Sequence, residues 1–139
     1  MRQWRLSIVV GVLALFTVSG LVLAQEISML EEKTSDGIAY VSGGIGIEER
    51  GALSALAKTK EYNLKLEFSM ISGQYTSGAT VMIQDASGKT VLQAESDGPW
   101  FYAKLPPGDY TFTAALGDQK RVQRLSVEKR LQALKFYWK

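Results

Sequence analysis

The stretch Tyr62-Asn-Leu-Lys-Leu-Glu-Phe-Ser-Met70 decides the fold class. Tyr62, Leu64, Leu66, Phe68 and Met70 alternate with Asn63, Lys65, Glu67 and Ser69. Successive side chains of a strand point to opposite faces, so this alternation is a β-strand with one face buried. The pattern continues downstream. Ala79 to Gln84 is a second strand, Asp85-Ala-Ser-Gly88 a hairpin turn, and Thr90 to Glu95 the returning partner. Ser96-Asp-Gly-Pro99 turns the chain into Trp100 to Leu105, with Phe101, Ala103 and Leu105 on one side and Tyr102 on the other. Pro106 and Pro107 stop pairing, since proline lacks the backbone donor. Tyr110, Phe112, Ala114 and Leu116 make the next buried face, Arg121 to Val127 returns, and Leu134, Phe136 and Trp138 alternate in a final strand.

Upstream the period changes. Ile47 to Glu61 is a helix candidate, with Ala52, Leu53, Leu56 and Ala57 on one face. Glutamates open it and lysines close it, which suits the helix dipole. Gly51 costs about 1 kcal/mol against alanine, so the helix needs tertiary packing. Ile38 to Ser42 is a short strand running into Gly43-Gly-Ile-Gly46. Residues 25–36 are acidic and polar and read as a loosely docked arm. Short strands separated by Gly, Pro and Asp turns give a single antiparallel β-sandwich of about seven strands over 37–139, with the helix at 47–61 near its start.

The N-terminus decides where the chain works. Arg2 and Arg5 precede an apolar run from Leu6 to Ala24 that ends in Val22-Leu-Ala24. This is the pattern of a secretory signal peptide over 1–24, with cleavage after Ala24. The run is nineteen residues long, so the rival is an uncleaved anchor in the inner membrane, and the domain faces the periplasm or the exterior in both cases. Without a cysteine there is no lipoprotein acylation site.

Removal of Arg2 and Arg5 leaves 14 basic and 14 acidic residues. A nucleic-acid binder needs a clear basic excess, so none is expected as a partner. The balance is uneven, with eight Lys/Arg against three Asp/Glu over 104–139 and six against eleven over 26–103. Facing strands of opposite sign account for this, or else a basic surface docks an acidic partner. Histidine and cysteine are both absent, which excludes a cysteine nucleophile, a histidine triad and a Cys/His zinc site.

Tyr62 to Trp138 resembles the carboxypeptidase regulatory-like domains, sandwiches of transthyretin-like (prealbumin) topology. The resemblance lies in Ala79-Thr-Val-Met-Ile-Gln-Asp-Ala-Ser-Gly88 and in Leu105-Pro-Pro-Gly-Asp-Tyr-Thr-Phe-Thr-Ala114. The chain from Gln25 onward is also similar to small exported bacterial proteins in which a Tyr-Val-Ser-Gly-Gly-x-Gly-x-x-Glu segment, here Tyr40 to Glu49, precedes such a sandwich. The resemblance implies a non-enzymatic binding or assembly module with no catalytic residues.

Candidate sites follow. Gly43, Gly44 and Gly46 form a hinge or a close backbone packing point. An anion cradle there is disfavoured because Glu48 and Glu49 place negative charge where the anion would sit. Trp100 and Tyr102 share the face opposite Phe101 and are candidates to stack on sugar rings. Lys120, Arg121 and Arg124 are the candidate basic surface. Glu48, Glu49 and Asp97 have no spacing that sets a paired acid/base geometry, and the loop at Asp85 and Ser87 is too short for an EF-hand. No catalytic, cofactor or metal residue is expected. The expected function is a non-enzymatic module mediating protein interaction or assembly in the bacterial periplasm or cell envelope, the partner being another envelope protein. The alternative is a carbohydrate-binding module. Membrane contact is expected only through the N-terminal segment if it stays uncleaved.

Overall fold

The computed structural model describes residues 30–139. The expected signal peptide, its cleavage after Ala24 and the first part of the polar arm lie outside the described residues. In chain order the elements are β1 (Lys33–Ser35), β2 (Ile38–Gly43), α1 (Ile47–Thr59), β3 (Leu64–Met70), β4 (Thr80–Gln84), β5 (Thr90–Glu95), β6 (Trp100–Ala103), β7 (Gly108–Leu116), β8 (Gln119–Val127) and β9 (Gln132–Trp138). They form a five-stranded sheet ordered β1-β2-β6-β3-β9 and a four-stranded sheet ordered β5-β4-β7-β8.

The alternation places the core between these sheets. Leu64, Leu66 and Phe68 of β3, Phe101 and Ala103 of β6, and Phe136 and Trp138 of β9 face Val81 and Ile83 of β4, Leu92 of β5, and Phe112 and Ala114 of β7. All are essentially inaccessible to solvent. Asn63 falls on the polar side of the alternation by sequence, yet it is buried. Its amide nitrogen donates to the carbonyls of Leu105 (2.7 Å) and Glu128 (2.9 Å), and its oxygen accepts from Leu105 N–H (2.9 Å). One side chain thus ties the start of β3 to the chain beyond β6 and beyond β8, with each buried polar group satisfied. The Tyr110 hydroxyl donates to Pro106 O (2.7 Å), closing the turn ahead of β7 much as a tyrosine corner does.

The observed architecture differs from the expected one in four particulars. There are nine strands among the described residues, not about seven. Lys33–Ser35, within the expected polar arm, is a strand, because the Asp36-Gly37 turn, both residues at positive φ, folds it back on β2. The β3–β9 pair is parallel, whereas an antiparallel sandwich was expected. Glu128–Leu131 crosses from one sheet to the other, so no hairpin fixes the direction of β9. The helix ends at Thr59, two residues early. Glu61 takes φ 55°, and Tyr62 N–H bonds to Ala57 O while Glu61 N–H bonds to Lys58 O. This is a Schellman termination with glutamate in the position usually given to glycine.

Helix α1 covers the outer face of the five-stranded sheet. Leu53 and Ala57 pack on Val41, Tyr62 and Tyr102 in a second, smaller core, with Leu30, Ala39, Leu56 and Trp100 at its margin. The molecule is therefore layered as helix, sheet and sheet. The outer face of the four-stranded sheet has no covering element among the described residues.

Candidate binding surfaces

The glycine segment joins β2 to α1 at one end of the sandwich. Gly44 (φ 97°) and Gly46 (φ 111°) lie in the left-handed half of φ space, which L side chains rarely adopt. Gly43 pairs with Trp100 across β2 and β6, and Gly98 stacks directly on it. A Cβ on Gly98 would overlap the Gly43 carbonyl group, so the two backbones meet in close contact there. The expected objection to an anion cradle takes concrete form. Glu49 Oε1 accepts from Gly44 N–H (2.9 Å), and Arg50 Nη1 donates to Gly44 O (2.9 Å), so the loop's own side chains hold its backbone.

The two aromatic candidates part company. Strand parity holds, since both face away from Phe101, but α1 lies over Tyr102, which is 2% exposed. That corrects its candidacy as a sugar platform. Burial pushes its phenol above the ordinary tyrosine value. Trp100 is half-buried, but its ring is already engaged: Lys65 Nζ lies 3.4 Å from the ring centroid and Arg50 Cζ 5.9 Å. Burial holds the Lys65 ammonium below its ordinary lysine range. Arg50 also sits 5.2 Å from the Tyr75 centroid. Tyr75 carries no signal in the sequence, because it lies in a loop with no period. It faces Ser69 in an isolated antiparallel bridge, where β6 no longer flanks β3.

The basic candidates divide by parity. Lys120 and Arg124 are exposed on the outer face of the four-stranded sheet, with Val122 between them. Arg121 points the other way. Its Nε donates to Tyr137 O (3.0 Å), Gln123 Nε2 donates to Lys135 O (2.6 Å), and Trp138 Nε1 donates to Gln119 O (3.0 Å). These bonds stitch the edge strand β8 to the edge strand β9, so Arg121 is a seam residue. An alternating strand of mixed charge gives no sequence signal for which cation faces out.

Two of the remaining carboxylates have local duties. Asp97 Oδ2 lies 3.5 Å from Lys33 Nζ, and its backbone N–H donates to Ser42 Oγ. Asp85 Oδ1 accepts from Ser87 N–H, Ser87 Oγ and Lys89 N–H, and the Ser87 hydroxyl above all holds its carboxyl below the usual range. No group of three acidic residues among the described residues is placed to hold a metal ion.

No protein-family model matches the chain, and no curated protein sequence matches it. Among solved structures, the Bacillus anthracis TIE protein is similar over 55% of this chain at 17% identity, with a TM-score of 0.44. The match spans 16% of that protein's own length. Among the described residues, no helix is long and apolar enough to cross a membrane.

Proposed function

We propose that the chain is a non-catalytic sandwich module of carboxypeptidase regulatory-like type, exported to the periplasm or cell envelope, that docks an acidic protein partner. Export rests on the signal pattern of residues 1–24. The observation that supports the docking reading is the outer face of the four-stranded sheet, which no element among the described residues covers. Register lines up Glu95, Thr80, Ala115 and Lys120 in one row, then Gln93, Met82, Thr113 and Val122, then Thr90, Gln84, Thr111 and Arg124. Val122 is 59% exposed between two cations on a strand, an arrangement that favours a partner with an apolar contact flanked by carboxylates.

The test is cross-linking of the full chain in its native envelope, followed by mass spectrometry. An envelope protein captured by the parent chain and lost in the Lys120→Glu/Arg124→Glu variant is the expected result. Arg121 stays untouched, because its reversal would open the β8–β9 seam and confuse folding with binding. Capture that ignores both reversals would overturn the reading. The aromatic glycan alternative has no geometric observation in its favour, because Tyr102 is covered and Trp100 is engaged by cations.

A further inference from the structure

Seven large apolar side chains are exposed among the described residues, and four of them gather in one place. Ile45 is 67% exposed, Ile47 79%, Ile71 62% and Tyr75 46%. All four lie at one end of the molecule. Strands β2 and β3 each run antiparallel to β6, and β9 runs parallel to β3, so β2, β3 and β9 all finish at the same end. Ile45 and Ile47 follow β2. Ile71 follows β3 and is tied to the end of β9 through Trp138 O (2.7 Å). Tyr75 returns beside them and lines one shallow concavity with Ile45 and Arg50. Monomeric domains rarely gather apolar side chains this way without a surface to receive them.

The entry of the chain identifies that surface. Strand β1 runs antiparallel to β2, so it starts at the end where β2 finishes. Lys33 confirms the placement by reaching Asp97, next to Gly98 and Gly43. The chain therefore enters β1 from the isoleucine end, and in the uncleaved-anchor reading the apolar run Leu6–Ala24 precedes that entry. Only five residues lie between Ala24 and Leu30, a reach of at most about 20 Å. A bilayer that receives the run lies within that distance of Leu30, which packs at the margin of the layer under α1.

We propose that this end is a bilayer-docking tip, in which Ile45, Ile47 and Ile71 enter the lipid interface and Tyr75 sits at headgroup level. The side chains project from separate loops, which suits insertion into a yielding surface better than closure around a ligand. Tyrosine and tryptophan just behind an apolar tip match the interfacial preference of amphipathic rings. Charge is not the driver. Glu48 and Glu49 precede Arg50 in the chain, and Glu67 and Lys135 lie near Lys65, so anionic lipid gives little extra attraction. An uncleaved run anchors the chain by itself, so the part played by the tip is to hold the domain against the bilayer. This inference rests on the uncleaved-anchor reading of Leu6–Ala24, and it leaves the outer face of the four-stranded sheet, which no described element covers, to the protein partner.

The chain has no cysteine, which makes the test direct. The Ile45→Cys and Val122→Cys variants of the full chain, each labelled with an environment-sensitive nitrobenzoxadiazole dye, are reconstituted in phosphatidylcholine vesicles. Both positions are exposed, so folding is unaffected, and circular dichroism checks it. The expected result is a several-fold rise and a blue shift in emission at position 45, quenched by brominated acyl chains, with no change at 122. The same response is expected when phosphatidylglycerol is included. A water-like signal at 45 in both vesicle types would overturn the proposal. A signal at 45 that stays water-like in lipid and changes only on adding envelope proteins would also overturn it, in favour of a protein groove. A response that requires phosphatidylglycerol would overturn the apolar mechanism.

Discussion

The core between the two sheets and the layer between sheet and helix are built to different standards. Seventeen buried residues fill the first, and the polar side chains buried around it are paired: Asn63, Tyr110 and Trp138 each reach a carbonyl, and Ser96 Oγ donates to Gly98 O (2.7 Å). Five buried residues make the second. Both buried side-chain polar atoms that lack a hydrogen bond among the described residues lie in it or at its margin: Tyr62 Oη and Trp100 Nε1. The sandwich is thus over-determined, while α1 is held by few contacts and entered through glycines. Function at the glycine end is compatible with this division, because binding elements come from the less stable part of a fold.

The sharpest way to break the comparison is to truncate one residue in each layer. Phe112→Ala is expected to cost about 3–5 kcal/mol in chemical denaturation, since the ring is fully buried in a core that cannot collapse around the void. A loss under about 1 kcal/mol would mean that the β7 parity is wrong. Leu53→Ala removes an equally buried side chain but leaves a helix free to settle, so about 2 kcal/mol is expected, at the low end for such truncations. Its effect should appear as faster amide exchange in α1, with the main unfolding transition moving little. If both variants shift the global transition equally, the two layers are one cooperative unit.

Asn63→Ala lies between these two in expected size. It orphans the Leu105 N–H and two carbonyls at once, for a loss of about 2–4 kcal/mol. Much of the fold was legible in the sequence, yet this residue was not. Alternation fixed Leu64, Leu66 and Phe68 inside because apolar area dominates a strand's choice of face. The same rule assigned Asn63 to solvent, since a period carries no information about which backbone groups arrive from distant segments. The parallel β3–β9 pair and the outward or inward facing of Lys120, Arg121 and Arg124 were hidden for a similar reason. Each depends on how the chain crosses between sheets, and Glu128–Leu131 carries no turn signature that fixes the crossing. Tyr102 was misjudged because helix placement, not strand parity, decides what covers an outer face.

Alkaline titration probes the helix layer with a smaller effect. Burial, and then the nearby Glu32 carboxylate, raise the Tyr62 phenol far above its ordinary value of 10.0, although Glu32 stays outside normal hydrogen-bond distance. Tyr102 and Tyr110 are raised as well, by burial first. The folded chain then keeps protons that the unfolded chain loses. Stability is fully present below pH 10.0 and falls as pH rises beyond it. Tyr62→Phe should soften that fall and leave neutral stability unchanged or up to about 1 kcal/mol higher, because it deletes an unpaired buried hydroxyl. An unchanged alkaline slope would place the titrating group elsewhere.

Gly51→Ala gives the smallest change and the cleanest separation of the layers. Gly51 lies inside α1, is exposed, and has open space where a Cβ would stand. Alanine there stabilises the helix by about 1 kcal/mol through propensity and the narrowed unfolded ensemble, without touching the sheets. Where that gain appears is the informative part. If α1 opens while the sandwich stays folded, exchange of its amides slows by about fivefold while the melting temperature barely moves. If α1 unfolds only with the sandwich, the whole gain enters the global free energy and the melting temperature rises. The first outcome is expected, because Leu53 and Ala57 are the buried residues by which α1 grips the sheet beneath it.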